Sequence, residues 1–290
     1  FYDSDPYLSW FFNVVYHPEN TVVATVGGRL AAALQLLPCM LVIRNKAYSC
    51  DYIAGVSTSP EFRGRGIARE IMKFSDHAAG KRGKSFLLLI PAVNHFYEKF
   101  GYVSCYEKLE YHFSPASLRP PKFNGNIKRA TKDDLPALLQ IYEQYTSCFN
   151  GYLQRTLTDF QMQLQHYGMF HGGTYLFYDE AQNPCGYLSY TATDQLLSAD
   201  ECIYSGPQGK NGILQFLYAH NSQTKEICLR TALHDTFGAD LYQTDIKANK
   251  VPTVMLKPLI SLPCDVRSFV GQFSGPNSDY PLQNNFVNFL

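Results

Sequence analysis

The chain has 290 residues, enough for two domains of ordinary size, and its 46% hydrophobic content predicts compact folding. Its 25 basic and 25 acidic side chains cancel, so the overall charge indicates neither nucleic acid nor an anionic membrane as a partner. The longest apolar run, Leu30 to Ile43, is interrupted by Gln35 and Pro38 and is too short for a membrane span. Eight scattered cysteines without a Cys-x-x-Cys pair are typical of a reduced cytoplasmic protein and argue against zinc. We therefore expect a cytoplasmic protein without a bound metal.

The first part of the chain predicts an aromatic helix followed by antiparallel strands. Residues 1–18 are rich in aromatic side chains with partial helical periodicity, and the pattern stops at Pro18. Apolar runs flank a glycine turn at Gly27-Gly28, and further strand material flanks a turn at residues 44–46. The last of these predicted strands ends at Val56.

A glycine loop follows that strand and precedes a predicted helix over residues 67–79, with the sequence Arg63-Gly64-Arg65-Gly66. The two glycines permit positive φ, so several backbone N–H groups can converge on one anion. The helix adds its free N–H groups and the positive end of its dipole, and the two arginines add mobile charge. The loop lacks the signature of a P-loop and of a dinucleotide-binding turn. It predicts a phosphate or pyrophosphate site of another kind.

A second motif lies downstream, where an apolar strand from Phe86 ends at Pro91. A short predicted helix follows, with Asn94 as its N-cap, and Gly101 is suited to cap its C-terminus. This places Tyr97 in the first helical turn, where the helix dipole would favour its ionised form and make it a better acid.

Together the two motifs resemble the GNAT superfamily of N-acetyltransferases, in which a Gln/Arg-x-x-Gly-x-Gly/Ala loop precedes a strand and a Tyr-x-Lys-x-Gly-Tyr/Phe segment. The resemblance implies a domain that opens with a strand and helix, so we expect the natural polypeptide to extend further at its N-terminus. It also implies acetyl-CoA as cosubstrate and Tyr97 as the acid that protonates the departing thiolate.

The resemblance assigns further positions residue by residue. The pyrophosphate would be bound by Arg63, Gly64, Arg65, Gly66, Ile67 and Ala68, and the pantetheine arm by the main chain of Val56, Ser57 and Thr58. The first helices of these enzymes also form a wall of the acceptor pocket, which makes Tyr7, Trp10 and Phe11 candidates for lining it. The alternative for these aromatic residues is packing in the core.

The general base cannot be identified from the residues. Asp51, Glu61, His95 and His112 are all possible, and a chain of water molecules would serve as well.

The second half of the chain restarts the same pattern. Residues 116–126 read as a proline-rich linker, and residue 127 opens a strand followed by Thr131 as an N-cap with acidic residues after it. Strands are predicted at residues 174–178 and 185–190, and a helix at 213–219. Between them, the glycine-rich stretch 206–212 stands where a pyrophosphate loop would be and lacks the motif. We therefore predict a degenerate GNAT-like domain over residues 127–250, after a catalytic domain over residues 1–115.

One competent and one degenerate unit in tandem resemble the Eis (enhanced intracellular survival) type of acetyltransferase. The segment 251–290 would then be a remnant or the start of a sterol-carrier-like unit, shortened relative to that family. The resemblance implies a C-terminal carboxylate as base, which would be that of Leu290.

The predicted fold class is therefore α/β (α+β), with two tandem GNAT-like domains, each a mixed, mostly antiparallel sheet flanked by helices. The predicted function is direct acetyl transfer from acetyl-CoA to a primary amine, either a small molecule such as an aminoglycoside or polyamine, or a protein lysine or N-terminus. The alternatives are a non-catalytic acyl-CoA sensor and an assembly protein, and homo-oligomers are possible.

Overall fold

The computed structural model describes residues 5–233, 235, 237, 246 and 248–271. Its α-helices are α1 (Asp5–Trp10), α2 (Ile67–Lys81), α3 (Asn94–Glu98), α4 (Leu135–Thr146), α5 (Leu157–Met169), α6 (Gly206–Ala219) and α7 (Val266–Gly271). Its strands are β1 (Thr21–Val26), β2 (Arg29–Ile43), β3 (Lys46–Thr58), β4 (Phe86–Leu89), β5 (Val103–Ser104), β6 (Glu107–Phe113), β7 (Asn126–Arg129), β8 (Tyr152–Gln154), β9 (Gly173–Tyr178), β10 (Pro184–Ala192), β11 (Leu196–Tyr204), β12 (Glu226–Thr231), β13 (Ala248–Pro252) and β14 (Met255–Pro258). No helix in the described part of the chain has the length and apolar character needed to cross a membrane.

The first sheet has the strand order β1-β2-β3-β4-β14-β5, and β8 pairs with residues 40–42 near the C-terminal end of β2. All of these pairs are antiparallel except β3 with β4. The predicted turn between β2 and β3 is present, and both Arg44 and Asn45 adopt positive φ there. Such left-handed residues suit a tight hairpin because their twist matches that of the strands.

The second sheet has the strand order β13-β6-β12-β11-β10-β9-β7, and only β11 and β12 are parallel. The strands predicted at residues 174–178 and 185–190 are β9 and β10. The predicted fold class is thus confirmed, because the chain forms two mostly antiparallel sheets flanked by helices.

Each sheet is covered by an amphipathic helix. Helix α2 buries Ile71 and Met72 against the first sheet, and α6 buries Ile213 and Leu217 against the second. Complete burial of one such side chain stabilises the fold by about 1.5–3 kcal/mol.

Strands cross between the two sheets and do not follow the predicted domain limits. The chain passes from β5 in the first sheet to β6 in the second, although both lie within residues 1–115. It returns from β13 in the second sheet to β14 in the first. The predicted C-terminal segment 251–290 therefore contributes a strand to the first sheet, and its residues 272–290, including Leu290, lie outside the described residues.

The stretch 116–126, predicted as a linker, packs onto the second sheet. Leu118 is fully buried and Phe123 nearly so, both within the hydrophobic core under α6. The prolines do prevent regular structure, but the apolar side chains between them are core residues rather than solvent-exposed ones.

Candidate active site

The predicted pantetheine strand separates from its neighbour at the position where it approaches the glycine loop. Strand β3 pairs with β4 from Cys50 to Tyr52 and then continues alone on that side to Thr58. Gly55 has a φ of 61°, and the register of β3 against β2 shifts beside it, which marks a β-bulge. A bulge bends a strand and increases its twist. Because β4 ends at Leu89, the main chain of Val56, Ser57 and Thr58 has no paired strand on that side in the described part of the chain, and we call this unpaired edge the gap between β3 and β4.

The glycine loop has the backbone conformation that its sequence predicts. Gly64 and Gly66 have φ values of 74° and 79°, and α2 begins directly after Gly66. Within the described part of the chain, the backbone N–H groups of residues 64–68 donate no hydrogen bond. Five consecutive free donors at a helix N-terminus form a cradle suited to a phosphate or pyrophosphate.

The arginines of the loop are exposed and held near it by local contacts. The Nε of Arg63 donates to the carbonyl oxygen of Thr58 at 3.2 Å, which ties the loop to the end of β3. The guanidinium groups of Arg65 and Arg29 lie 5.6 and 5.3 Å from the ring centre of the buried Phe62. Arg29 was not predicted as part of the site because it lies about 35 residues earlier, at the start of β2.

The structure corrects the predicted environment of Tyr97. The N-cap of α3 is Val93 rather than Asn94, no side chain caps this helix, and Tyr97 lies near its end rather than in its first turn. The half-buried phenol has its pKa raised by burial, not lowered by the helix dipole. Tyr97 therefore holds its proton at neutral pH, a state that suits a proton donor.

A tyrosine that the sequence motifs do not single out, Tyr52, lies at the point where the pairing of β3 with β4 ends. The buried phenol of Tyr52 is hydrogen-bonded to the backbone of Ile90, just beyond β4. Burial chiefly raises the pKa of Tyr52, and the nearby phenols of Tyr7 and Tyr97 raise it further. The end of β4, Tyr97 and Tyr7 thus lie near enough to the phenol of Tyr52 to influence its charge. In the sequence, Tyr52 looked like any apolar residue of a strand.

The aromatic residues predicted to line the acceptor pocket or to pack in the core, Tyr7, Trp10 and Phe11, have different surroundings. Trp10 is 9% exposed, and its indole N–H donates to the side chain of Gln165 on α5. The ring centre of Tyr7 lies 6.2 Å from that of His166, which is also on α5. Phe11 lies 6.3 Å from Tyr7 and packs partly buried against the same core. These residues join the two halves of the chain, and Tyr7 is the one that also approaches Tyr52.

The candidates for the general base lie in unlike surroundings. Asp51 is fully buried and ion-paired with Arg82 and Lys84, and burial outweighs both cations in raising its pKa. These ion pairs give Asp51 a structural role. Glu61 lies on the surface within 2.8 Å of Arg29, and His95 is exposed on α3.

His112, the remaining candidate, lies on the second sheet between Glu110 and Glu226, whose hydrogen bonds raise its pKa. The ligand atoms of Glu110, His112 and Cys228 lie within 4.8 Å of one another. Because the guanidinium of Arg230 already neutralises Glu110 at 2.8 Å, this group has no excess negative charge to attract a cation.

The glycine-rich stretch of the second half is not a loop. Helix α6 begins at Gly206, seven residues before the predicted start at residue 213, and includes this whole stretch. A Cβ at Gly209 would lie 2.0 Å from the carbonyl oxygen of Cys185, and one at Gly212 would lie 2.8 Å from the ring of Phe177. These glycines allow the helix to pack closely on the second sheet, so the stretch is helical and does not form a loop like that at residues 63–66.

Comparison with known proteins defines the class of this fold. The family description "Acetyltransferase (GNAT) domain" matches residues 1–105, and a second family with the same description matches residues 151–257. The chain belongs to the GNAT acetyltransferase superfamily and carries two GNAT domains in tandem. No curated protein matches it by sequence.

Solved structures share the fold at low sequence identity. A probable N-acyltransferase from Enterococcus faecalis V583 has a TM-score of 0.75 at 18% identity, over 88% of this chain and 66% of that one. A GCN5-related N-acetyltransferase from Anabaena variabilis gives 0.76 at 18%, over 89% and 67%. Eis1 from Mycobacterium abscessus gives 0.63 at 14%, over 88% and 70%. The chain thus spans about two thirds of the length of these structures.

Proposed function

We propose that the protein is an acetyl-CoA-dependent N-acetyltransferase that transfers the acetyl group directly to a primary amine. The observation that carries the proposal is the cradle of free N–H groups at residues 64–68, which lies beside the gap between β3 and β4. Acetyl-CoA would supply an activated acetyl thioester. Its pyrophosphate would bind in the cradle, and the main chain of residues 56–58 would pair with its extended arm.

Tyr97 is the proton donor in this proposal. Transfer forms a bond from nitrogen to the acetyl carbon and breaks the bond from that carbon to sulfur. An ammonium group first releases one proton to water; the neutral nitrogen then loses one more proton and the sulfur gains one, so Tyr97 can give its proton to sulfur and recover one from the amine through water. Its raised pKa keeps that proton in place until sulfur departs.

Release of free thiol from acetyl-CoA in the presence of a panel of primary amines tests the proposal. We expect Tyr97→Phe to lower turnover about 10²–10⁴-fold without loss of coenzyme affinity. Tyr102→Phe is the matched control, because its buried hydroxyl has no hydrogen-bond partner in the described structure. Gly66→Glu should abolish coenzyme binding, whereas Gly80→Glu, an exposed position in the same helix, should retain it.

A second outcome separates the enzyme from a sensor. If the protein binds coenzyme but no amine on the panel is acetylated, it is an acyl-CoA-binding protein without turnover. The eight cysteines are all unpaired, which supports a reducing compartment such as the cytoplasm as its place of action.

A further inference from the structure

A cavity of about 300 Å³ lies between the end of β4 and one face of the second sheet. Its lining includes Ile90, Lys108, Glu110, Asp200, Arg230 and Thr253. Ile90 connects this cavity to the proposed active centre, because its backbone is hydrogen-bonded to Tyr52 and Tyr97 lies close to that phenol. An acceptor bound in the cavity would therefore lie beside the point where β3 and β4 separate.

The charged residues of this cavity balance one another. Arg230 donates from Nε to Glu110 at 2.8 Å and from its Nη1 to the carboxylate of Asp200. Lys108 is 7% exposed and donates to the carbonyl oxygen of Asp200 at 3.4 Å. Two carboxylates and two cations therefore line one small cavity, and their formal charges sum to zero.

Two features indicate that this cavity is prepared for a polar ligand. The buried hydroxyl oxygen of Thr253 has no hydrogen-bond partner in the described part of the structure. Burial lowers the pKa of Lys108 to about 8, so this side chain is still mostly protonated at neutral pH. Groups of both signs are thus largely shielded from water. In that environment each group interacts more strongly with a ligand.

We propose that this cavity binds the acceptor amine as a zwitterion, that is, a small molecule with both an amino group and a carboxylate, such as an amino acid or dipeptide. The acceptor inserts between charges that are already paired: its carboxylate binds Arg230 and Lys108, and its amino group takes the place of the Arg230 guanidinium beside Asp200 or Glu110, so the charges stay balanced. A polyamine or an aminoglycoside carries several positive charges, and this neutral cavity offers no excess carboxylate to balance them. The inference rests on the proposed function and specifies its substrate class.

Thiol release measured with amino acids, dipeptides, spermidine and tobramycin tests the inference. We expect turnover with the zwitterions, and Arg230→Gln should raise their KM at least tenfold with a smaller change in kcat. The same variant leaves one uncompensated carboxylate and should lower the KM for spermidine. Lys250→Gln is the matched control, because Lys250 is exposed on β13. It pairs with Leu109, and both lie on the face of the sheet opposite to the cavity.

A second variant guards against misfolding of the first. Thr253→Val keeps the volume of the side chain but removes the free hydroxyl, and it should raise the KM for a zwitterion about three- to tenfold. Preferred turnover of spermidine or tobramycin, unaffected by Arg230→Gln, would overturn the inference and leave the proposed function intact. If no amine is acetylated, the proposed function fails, and calorimetry with glycylglycine decides the inference separately. Binding that Arg230→Gln weakens supports it, and no binding to the wild-type protein refutes it.

Discussion

The guanidinium of Arg155 lies 2.9 Å from the carboxylate of Glu201, and only 2% of either side chain is exposed. The same guanidinium contacts Gln163 at 3.2 Å and lies over the ring of Tyr142. Glu201 follows Asp200 on β11, so this ion pair supports the wall of the candidate acceptor cavity.

Glu201→Gln should lower the free energy of unfolding by about 3–5 kcal/mol, because it leaves a buried guanidinium without its counter-ion. Urea denaturation measures the change. The double substitution Arg155→Met with Glu201→Leu removes both charges and should recover most of the loss. Glu70→Gln, in the exposed pair with Lys73, is the control and should change stability by less than about 1 kcal/mol. An equally small effect of Glu201→Gln would show that water reaches the buried pair.

Gly66→Ala should weaken coenzyme binding by about tenfold. A φ of 79° costs an alanine about 1–2 kcal/mol, and relief of that strain would turn the N–H groups of the loop away from the anion. Isothermal titration with CoA measures the affinity. Gly80→Ala, in the same helix with nothing within 4 Å of its Cβ, should leave affinity unchanged and stabilise α2 by about 0.5–1 kcal/mol. Equal affinities for wild type and Gly66→Ala would contradict the assigned role of the loop.

The local features of the site could be predicted from the sequence. The left-handed glycines at 64 and 66 and the helix after them are set by neighbouring residues, and both are present. The second glycine-rich stretch shows the limit of this reasoning. Gly209 and Gly212 resemble a loop in sequence, but they serve close packing of α6 on a distant strand. Whether a glycine turns the chain or admits a neighbour depends on contacts that no local pattern contains.

Long-range pairing was the other feature that the sequence did not reveal. Strands β8 and β14 belong to the first sheet although they follow the strands with which they pair by about a hundred residues or more, and a local apolar pattern does not specify a partner so distant in the chain. The acceptor cavity was missed for the same reason, since Lys108, Asp200 and Arg230 meet only when β6, β11 and β12 lie side by side.

The raised pKa of His112 predicts a stability contribution that depends on pH. Its hydrogen bonds to Glu110 and Glu226 favour the imidazolium in the folded state, and Arg230 and the buried Cys228 are the other ionisable groups nearby. Because the folded pKa exceeds the unfolded one, this contribution is fully present below pH ~6.5 and is lost as pH rises through the folded pKa.

An NMR titration of the imidazole of His112 measures that pKa directly. Glu226→Gln should lower it because one of the two carboxylate partners is removed. Glu98→Gln, an exposed change in the first half of the chain, should leave it unaltered. A His112 that titrates at or below its ordinary value of about 6.5 would contradict the two hydrogen bonds.

The position of β14 within the first sheet predicts that this sheet cannot form without the end of the described chain. Met255 and Leu256 are fully buried, and β14 lies between β4 and β5, with Leu256 opposite Leu88 and Val103. Leu256→Ala should lower the free energy of unfolding by about 2–5 kcal/mol. A chain truncated after residue 125 should lack a cooperative thermal transition, because β4 and β5 lose the strand that joins them.

Co-expression with residues 126–290 should restore the transition and coenzyme binding, since the second fragment supplies both β8 and β14. The control is Ile260→Ala, an exposed apolar residue just beyond β14, which should change stability by less than about 0.5 kcal/mol. A fragment 1–125 that melts cooperatively at the temperature of the full chain would show that the first sheet folds alone. In that case β14 would be an addition to a complete domain rather than a part of it.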